Sequence, residues 1–336
     1  MAPPSATLME IVAGKWRPYA LWVVAELGIA DLLKDGPRDV AELARATGTN
    51  EEALLRILRP LAHDGILARR GEREFALTAL SQPLRSDHPS SVRQTIRNAM
   101  GPYNQRSWAE LLEVVRTGEP AFARLHGGRN IWTWFAEEAP ELGQIFHDAM
   151  AQMTRMAVPL LVASYDFGQH PRILDLGGGQ GVLIAGILKA FPHVRGGILD
   201  FKEALAAAPA TLEREGVADR VELIEGDIFA AIPTGWDAYM MKHIIHGMTA
   251  PSLAKLLTGV REAMTASSRL LVIEMLVPED DSGVYPASLD LQMLIASGGR
   301  ERSASEYRQL FAAHGLRLVD VVRNASPNTL LVVARA

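Results

Sequence analysis

The chain contains no cysteine. Disulfides, zinc–thiolate sites, iron–sulfur clusters and cysteine nucleophiles are therefore excluded, and the absence fits a reducing compartment. Excess positive charge is also missing. Lys and Arg number 34 against 39 Asp and Glu, a net charge of −5, which argues against nucleic acid as the main partner. No apolar run approaches the ~20 residues of a membrane-spanning helix. The opening MAPPSATLMEIVAGKW lacks the basic and apolar regions of a signal peptide. The expectation is a cytoplasmic protein with neither nucleic-acid nor membrane partners. What the chain does have is apolar content and length. With 336 residues, 48% of them hydrophobic, it can fill the cores of two domains.

Residues 8–34 carry Ile11, Trp16, Ala20, Val23 and Leu27 at helical spacing until Gly28 breaks the pattern. A short helix is expected over Val40–Ala46, then a turn at Gly48-Thr49-Asn50. Thr49 or Asn50 can cap the next helix, and Glu51 and Glu52 suit its first turn. Leu54, Leu55, Leu58 and Leu61 form that helix's buried stripe, which ends near Gly65. Strands Ile66–Ala68 and Glu74–Leu77 follow, around the polar tip 69–73. This is a winged-helix pattern, and it raises a DNA-binding reading. Charge weighs against it. Residues 1–100 hold 13 Lys or Arg and 12 Asp or Glu, and two glutamates open the would-be recognition helix. A protein-interaction module fits better. Residues 89–170 read as helical throughout. Trp132, Trp134, Phe135, Phe146, Met150 and Met153 recur there at a spacing that suits a core before it suits a pocket.

From Ile173 onward strands and helices alternate. Strands are expected at Ile173–Leu176, Gly197–Asp200, Val221–Glu225, Ala238–Lys242, Arg269–Met275, Leu316–Val322 and Thr329–Ala334. Helices are expected at Val182–Phe191, Ala204–Glu215, Pro251–Met264 and Ala304–His314, the last ending at Gly315. Such alternation implies an α/β fold with a doubly wound, mostly parallel sheet. The short connection 323–328 makes the final two strands an antiparallel pair.

The first of these strands runs into RILDLGGGQG. In an open parallel sheet, ligands bind beyond the carboxyl ends of the strands, where Asp175 and Gly177–Gly181 fall. A phosphate-binding P-loop needs GxxxxGK[ST], and that lysine is missing. A dinucleotide fingerprint starting at Gly177 would place its third small residue at Val182, so it fails as well. What remains is DxGGGxG with Asp200 ending the next strand, where a carboxylate can accept from both ribose hydroxyls. Asp227, in GDIF, follows the third strand and can reach an adenine amino group. No basic cluster awaits a pyrophosphate. Ribose and adenine without phosphates suggest S-adenosylmethionine.

These motifs resemble the class I S-adenosylmethionine-dependent methyltransferases of small-molecule O-methyltransferase type. That family includes plant caffeate and hydroxyindole enzymes and bacterial antibiotic-tailoring enzymes. LWVVAELGIADLL with DVAELARATGTNEEALLRILRPLAHDGIL looks like its dimerisation domain, ILDLGGGQG its cofactor loop and GDIF its next motif. MKHIIHGM looks like its catalytic segment, followed by VIEMLVP and GGRERSASEYRQLFAAHGL. The resemblance implies a winged-helix dimerisation domain over 1–100, a helical linker and pocket region over 101–170, and a Rossmann-like catalytic domain over 171–336. It matches Gly177, Gly179, Asp200, Asp227, Ile228, Phe229 and Lys242 to cofactor-pocket positions, and Asp175 is placed with them. It makes His246 the general base, with Glu274 and Glu301 as flanking acids. It implies an obligate homodimer whose N-terminal helices reach the partner's substrate site.

The chemistry needs such residues. Methyl transfer from a sulfonium is an in-line displacement, with the acceptor oxygen roughly 3–3.5 Å from the methyl carbon. A phenol is mostly protonated at neutral pH, so a histidine titrating near ~6.5 helps by about 10²–10⁴-fold. A carboxylate on its other nitrogen fixes the tautomer. Blander readings stay open. His246 can be a core histidine, Lys242 a solvated strand-end charge, and Glu301 a surface acid of the charged run RERS. His243 is structural, or pairs with His246 on a metal for which no third ligand is evident. The sequence also departs from the family, which usually has Asp-Trp after the histidine. Gly247-Met248 stand there instead. That keeps N- or C-methylation, a non-methylating relative, and a ligand-sensing winged-helix regulator in view. Trp132, Phe146, Met150, Met153, Met248 and Met293 are candidate substrate walls; methionine-rich walls adapt to flat apolar shapes, which suggests an aromatic substrate.

Overall fold

The computed structural model describes residues 3–280 and 284–336. The chain divides into two compact units, Met1–Gln105 with Gln144–Met153, and Arg106–Gly143 with Thr154–Ala336. Among the described residues no helix is long and apolar enough to cross a membrane.

The first unit opens with helices α1 (Pro4–Ala13), α2 (Trp16–Glu26) and α3 (Ile29–Leu32). Strand β1 (Arg38–Asp39) leads into α4 (Val40–Thr47), where Asp39 accepts the Ala41 N–H at 2.7 Å. Asn50, not Thr49, caps α5 (Glu51–His63), accepting the Ala53 N–H at 2.9 Å. Leu54, Leu55, Leu58 and Leu61 are all buried, as their spacing requires. Strands β2 (Leu67–Arg70) and β3 (Glu74–Leu77) form the wing, and β1 adds a third strand in the order β1-β3-β2. Two residues are too short a run to show a strand pattern, so β1 was not expected. Glu51 pairs with Arg73 of the wing, so this acid at the start of α5 finds its cation within the fold. Ile11 and Trp16 are 70% and 66% exposed. The two fall on different helices, α1 and α2, so the stripe expected through Ile11, Trp16 and buried Ala20 is not one face, and their exposed side does not join this unit's core. With Leu8, Met9 and Val12, also exposed, it forms an apolar surface.

Helices continue as α6 (Arg93–Met100), α7 (Pro102–Ala109), α8 (Leu111–Thr117), α9 (Ala121–Leu125), α10 (Ile131–Glu137) and the long α11 (Pro140–Ser164). The expected helical stretch is therefore present, though broken into pieces.

In the second unit β4 (Arg172–Leu176) leads through α12 (Val182–Ala190) to β5 (Arg195–Asp200). Helices α13 (Lys202–Leu205) and α14 (Ala208–Arg214) divide the stretch expected as one helix. Then come β6 (Val221–Glu225), β7 (Ala238–Lys242), α15 (Ala250–Ala263) and β8 (Arg269–Met275). Helices α16 (Val284–Ala296) and α17 (Ala304–Ala313) precede β9 (Leu316–Val322) and β10 (Asn328–Arg335). Helix α16 was not expected. The seven-stranded sheet has the order β6-β5-β4-β7-β8-β10-β9, with β10 antiparallel to both neighbours. Both faces are buried, so alternate residues of one strand feed different cores. Ile173 joins α12 and α14 on one side, while Leu174 joins α15 and α17 on the other. The winding reverses between β4 and β7. The loops leaving these two strands lie side by side at the carboxyl edge, the ligand-binding edge of such sheets, and a Cβ on Gly177 would come within 2.6 Å of the Ile244 side chain.

Packing is tight on both faces of β5. A Cβ at Gly197 would lie 2.5 Å from the Trp236 ring and 3.0 Å from Leu174. Gly197→Ala is expected to destabilise the protein by ~1–3 kcal/mol through overpacking. Thermal unfolding followed by circular dichroism should show a melting point several degrees lower. An unchanged melting point would mean that this interface is loosely packed.

Candidate active site

Two loops meet at the reversal point. The first is the glycine turn after β4. Gly177, Gly179 and Gly181 all adopt positive φ, which side-chain-bearing residues rarely take up. The Gly177 N–H donates to Leu199 O at 2.8 Å, and the Gly179 N–H to Asp200 Oδ2 at 2.9 Å. Asp200 Oδ1 accepts from Phe201 N–H at 2.8 Å. Burial raises the Asp200 pKa, while these two backbone donors oppose the rise. Each oxygen keeps a lone pair for a further donor. Asp175 sits beneath the turn, since a Cβ on Gly178 would meet its carboxyl group at 2.7 Å. Burial, with Asp200 nearby, pushes its pKa up to about 8 although Lys242 opposes this, so it is largely protonated at neutral pH. Asp227 closes its own turn by accepting the Phe229 N–H at 2.8 Å. Ile228 and Phe229 are partly buried against the core beneath.

The second loop follows β7. Lys242 ends the strand. Burial lowers its pKa to about 8 against the pull of Glu274 and Asp175. A short 3₁₀ turn, Ile245–Gly247, then presents His246, which is 8% exposed. Glu274, on β8, is fully buried. Its Oε1 accepts from the N–H groups of Ile245 at 3.0 Å and His246 at 3.3 Å. Glu301 arrives from the far side. Leu276 and Arg302 form a parallel bridge that draws the segment before α17 alongside the end of β8. Gly299 permits this approach, because a Cβ there would lie 2.0 Å from His246 O. The Glu301 N–H donates to Asp290 Oδ1 on α16 at 2.7 Å. Its side-chain Oε1 lies 2.6 Å from His246 Nδ1, and Glu274 Oε2 lies 3.7 Å from the same nitrogen.

A carboxylate oxygen can only accept, so Nδ1 carries the hydrogen and Nε2 of the neutral ring is a free base. Burial opposes a charge on His246. The carboxylates of Glu274 and Glu301 outweigh it, so the His246 pKa is raised despite Lys242. Burial also raises the Glu274 pKa, against the charge of His246 and with that of Glu301. The arrangement is an imidazole oriented by one acid, supported by another, and primed to take a proton.

The sequence showed no third metal ligand beside His243 and His246, but the fold provides one. Ligand atoms of His243, His246 and Glu274 lie within 4.8 Å of one another. His243 Nε2 and His246 Nδ1 are each already committed to a 2.6 Å hydrogen bond, and Glu274 Oε1 to two backbone donors. Glu274 Oε2 and the other ring nitrogens are not so committed, and of the two uses of this cluster these hydrogen bonds favour an acid–base network.

The structure thus brings His246, Glu274 and Glu301 together, and places Asp175, Gly179, Asp200 and Lys242 at the same edge of the sheet. Met248 and Met293 are half-buried in this unit, and Trp132, on α10, is 46% exposed. Phe146, Met150 and Met153 lie in the first unit, half-buried on α11. Sequence reasoning missed Asp290 and Asn328. Asp290 lies on the unexpected α16, whose apolar run Leu291–Met293–Leu294–Ile295 was the available signal.

Residues 108–317 match the family described as the O-methyltransferase domain, and residues 9–87 match the O-methyltransferase dimerisation domain. The chain is 35% identical to phenazine O-methyltransferase PhzM of Lysobacter antibioticus, over 96% of this chain and 94% of that protein. It is 33% identical to an 8-amino-8-demethylriboflavin N,N-dimethyltransferase of Streptomyces davaonensis, over 90% and 87%. A crystal structure of an O-methyltransferase from neocarzinostatin biosynthesis, in complex with S-adenosylmethionine and 2-hydroxy-5-methyl naphthoic acid, superposes with a TM-score of 0.82. Identity there is 28%, over 96% of each chain.

Replacing Glu301 by Gln removes a carboxylate that favours the charged ring. The pH at which His246 takes up a proton is expected to fall, as read by NMR titration of labelled histidine. A midpoint that stays in place would mean that Glu301 does not set this pKa.

Proposed function

Because the chain belongs to the O-methyltransferase family, we propose that it methylates a hydroxyl of a small aromatic secondary metabolite, with His246 as general base. The observation that carries this reading is the buried Glu301–His246 hydrogen bond, which leaves Nε2 as the free base. The methyl donor is S-adenosylmethionine, and the glycine turn fits it. The Asp200 carboxylate stands beside open glycine backbone, where a Cβ on Gly179 would approach nothing nearer than Asp200 Oδ2 at 4.0 Å. When bound, that cofactor supplies an electrophilic methyl group on a sulfonium.

The chain's own residues then divide the work. Asp200 and Asp227 take the ribose and adenine, and Ile228 and Phe229 supply apolar walls. Gly177 and Gly179 let the backbone approach, Asp175 supports their turn from below, and Lys242 adds a buried positive charge. His246 Nε2 accepts the hydroxyl proton as the acceptor oxygen advances. Glu301 holds Nδ1–H and stabilises the imidazolium, and Glu274 fixes the backbone of the turn. Met248, Met293 and Trp132 are our candidate substrate walls. The division at residues 100 and 170 stands as our reading of the domains. The exposed apolar face of α1 and α2 and the dimerisation-domain match support a homodimer. A cytoplasmic setting suits a cysteine-free chain.

Methyl transfer to nitrogen is a second reading. The N,N-dimethyltransferase relative supports it, and so does the space beside His246, because a Cβ on Gly247 would meet nothing within 4 Å.

Labelled methyl transfer to a panel of phenols, catechols, hydroxynaphthoates and aromatic amines tests both readings by mass spectrometry. We expect a product heavier by one methyl on oxygen. His246→Ala should lower turnover by about 10²–10⁴-fold while leaving cofactor binding nearly unchanged. Equal turnover in that variant would end the general-base assignment. Gly247→Asp should fold with stability within ~0.5 kcal/mol of the parent, since its side chain enters open space. The added negative charge favours protonated His246, so the acid limb of kcat/KM should move to higher pH. No movement would place the new carboxylate away from the ring.

A further inference from the structure

His243 is the one non-glycine residue, among those described, in the left-handed region, with φ +56°. That conformation costs an ordinary L-residue roughly 1–2 kcal/mol, so its surroundings must hold it there. Three contacts do so. The His243 N–H donates to Ile273 O at 3.0 Å, extending the pairing of Lys242 with Ile273 by one rung beyond β7. The ring Nε2 lies 2.6 Å from Asn328 Oδ1. The ring stands edge-on to His246, with centroids 5.1 Å apart and planes at 86°. Asn328 is itself buried at the start of β10, opposite Met275 of β8. Two neighbouring strands therefore grip the residue just before the turn that carries His246.

Since an amide oxygen only accepts, His243 Nε2 carries the hydrogen. We propose that the clamped pair His243–Asn328 positions His246, pinning the left-handed bend from which it projects and packing a ring edge against its imidazole. This rests on the reading of His246 as the base. The ring edge is also uncharged. Burial, then the charges of Lys242 and His246, push the His243 pKa well below the usual histidine value. The groups that set its surroundings are Lys242 on β7, Glu274 on β8, His246 on the following turn and the neutral Asn328 on β10. Glu301 acts on His246 from the opposite side. A charged His243 would oppose proton uptake by His246. Neutral asparagine, with no carboxylate in its place, leaves the two glutamates to set the basicity of His246.

NMR titration of the full chain with labelled histidine, and two variants, tests the proposal. In the parent, His243 should show the Nε2–H tautomer and stay neutral through the pH range in which His246 titrates. Asn328→Asp should favour a charged His243 and move the His246 midpoint to lower pH. His243→Asn keeps a residue type that tolerates the left-handed region. It should bind S-adenosylhomocysteine within about two-fold of the parent by calorimetry, yet lower kcat at least ten-fold, with an unchanged KM for S-adenosylmethionine. An unmoved His246 midpoint in Asn328→Asp, or parent-like kcat in His243→Asn, would overturn the proposal. Parent-like turnover in His246→Ala would instead remove the reading it rests on, and is scored separately.

Discussion

The 2.6 Å hydrogen bond between His246 Nδ1 and Glu301 Oε1 is the contact on which the rest of the site depends. Both residues are almost wholly removed from water. An isolated charge in such a place is strongly disfavoured, and a carboxylate is retained there only when donors meet it. The fold provides that meeting through close backbone approach. Gly299 lets its segment lie on the carbonyl of His246, and Asp290 holds the Glu301 N–H. Glu274, from the central sheet, ties down the amides of the same turn. A single imidazole is thus oriented by groups from β8, α16 and the segment before α17.

The position of this cluster follows from the topology of the sheet. Five parallel strands wind outward from β4 in one direction and from β7 in the other, so the loops after these two strands come side by side at the carboxyl edge, with Gly177 close against the Ile244 side chain. One loop offers glycine backbone and the Asp200 carboxylate. The other offers Lys242 and His246. Both are brought to the same edge without any long excursion of the chain. On the proposed reading, holding donor and base in place before the reaction would supply much of the rate such a transfer needs.

The departure at Gly247-Met248 has a physical meaning in this setting. The family resemblance leads us to expect a carboxylate and an indole there. Here the first position is open space, and the second is a flexible thioether packed against the core. With glycine there, Glu274 and Glu301 supply the carboxylates beside the His246 ring. On the proposed reading, the acceptor would meet an adaptable wall at Met248.

Much of this was legible in the chain. The alternation of short apolar strand runs with helical stretches marked the sheet, and leucine spacing marked the buried face of α5. The glycine turn with Asp200 indicated a phosphate-free nucleoside ligand. These features are local, written in runs of a few residues by steric and solvation rules that act along the backbone. Ile11 and Trp16 show the limit, because regular apolar spacing ran across the break between α1 and α2 and did not say what covers either helix. The assembly of His246 with Glu274 and Glu301 joins residues 28 and 55 positions away, and that of His243 with Asn328 spans 85. The family resemblance pointed to the glutamates, but no periodicity did. The bend at His243 carried no local mark, and the apolar run of α16 marked a helix but not the Asp290 tether. Only the packed sheet decided them, because such distant groups meet when the strands beneath them are already paired.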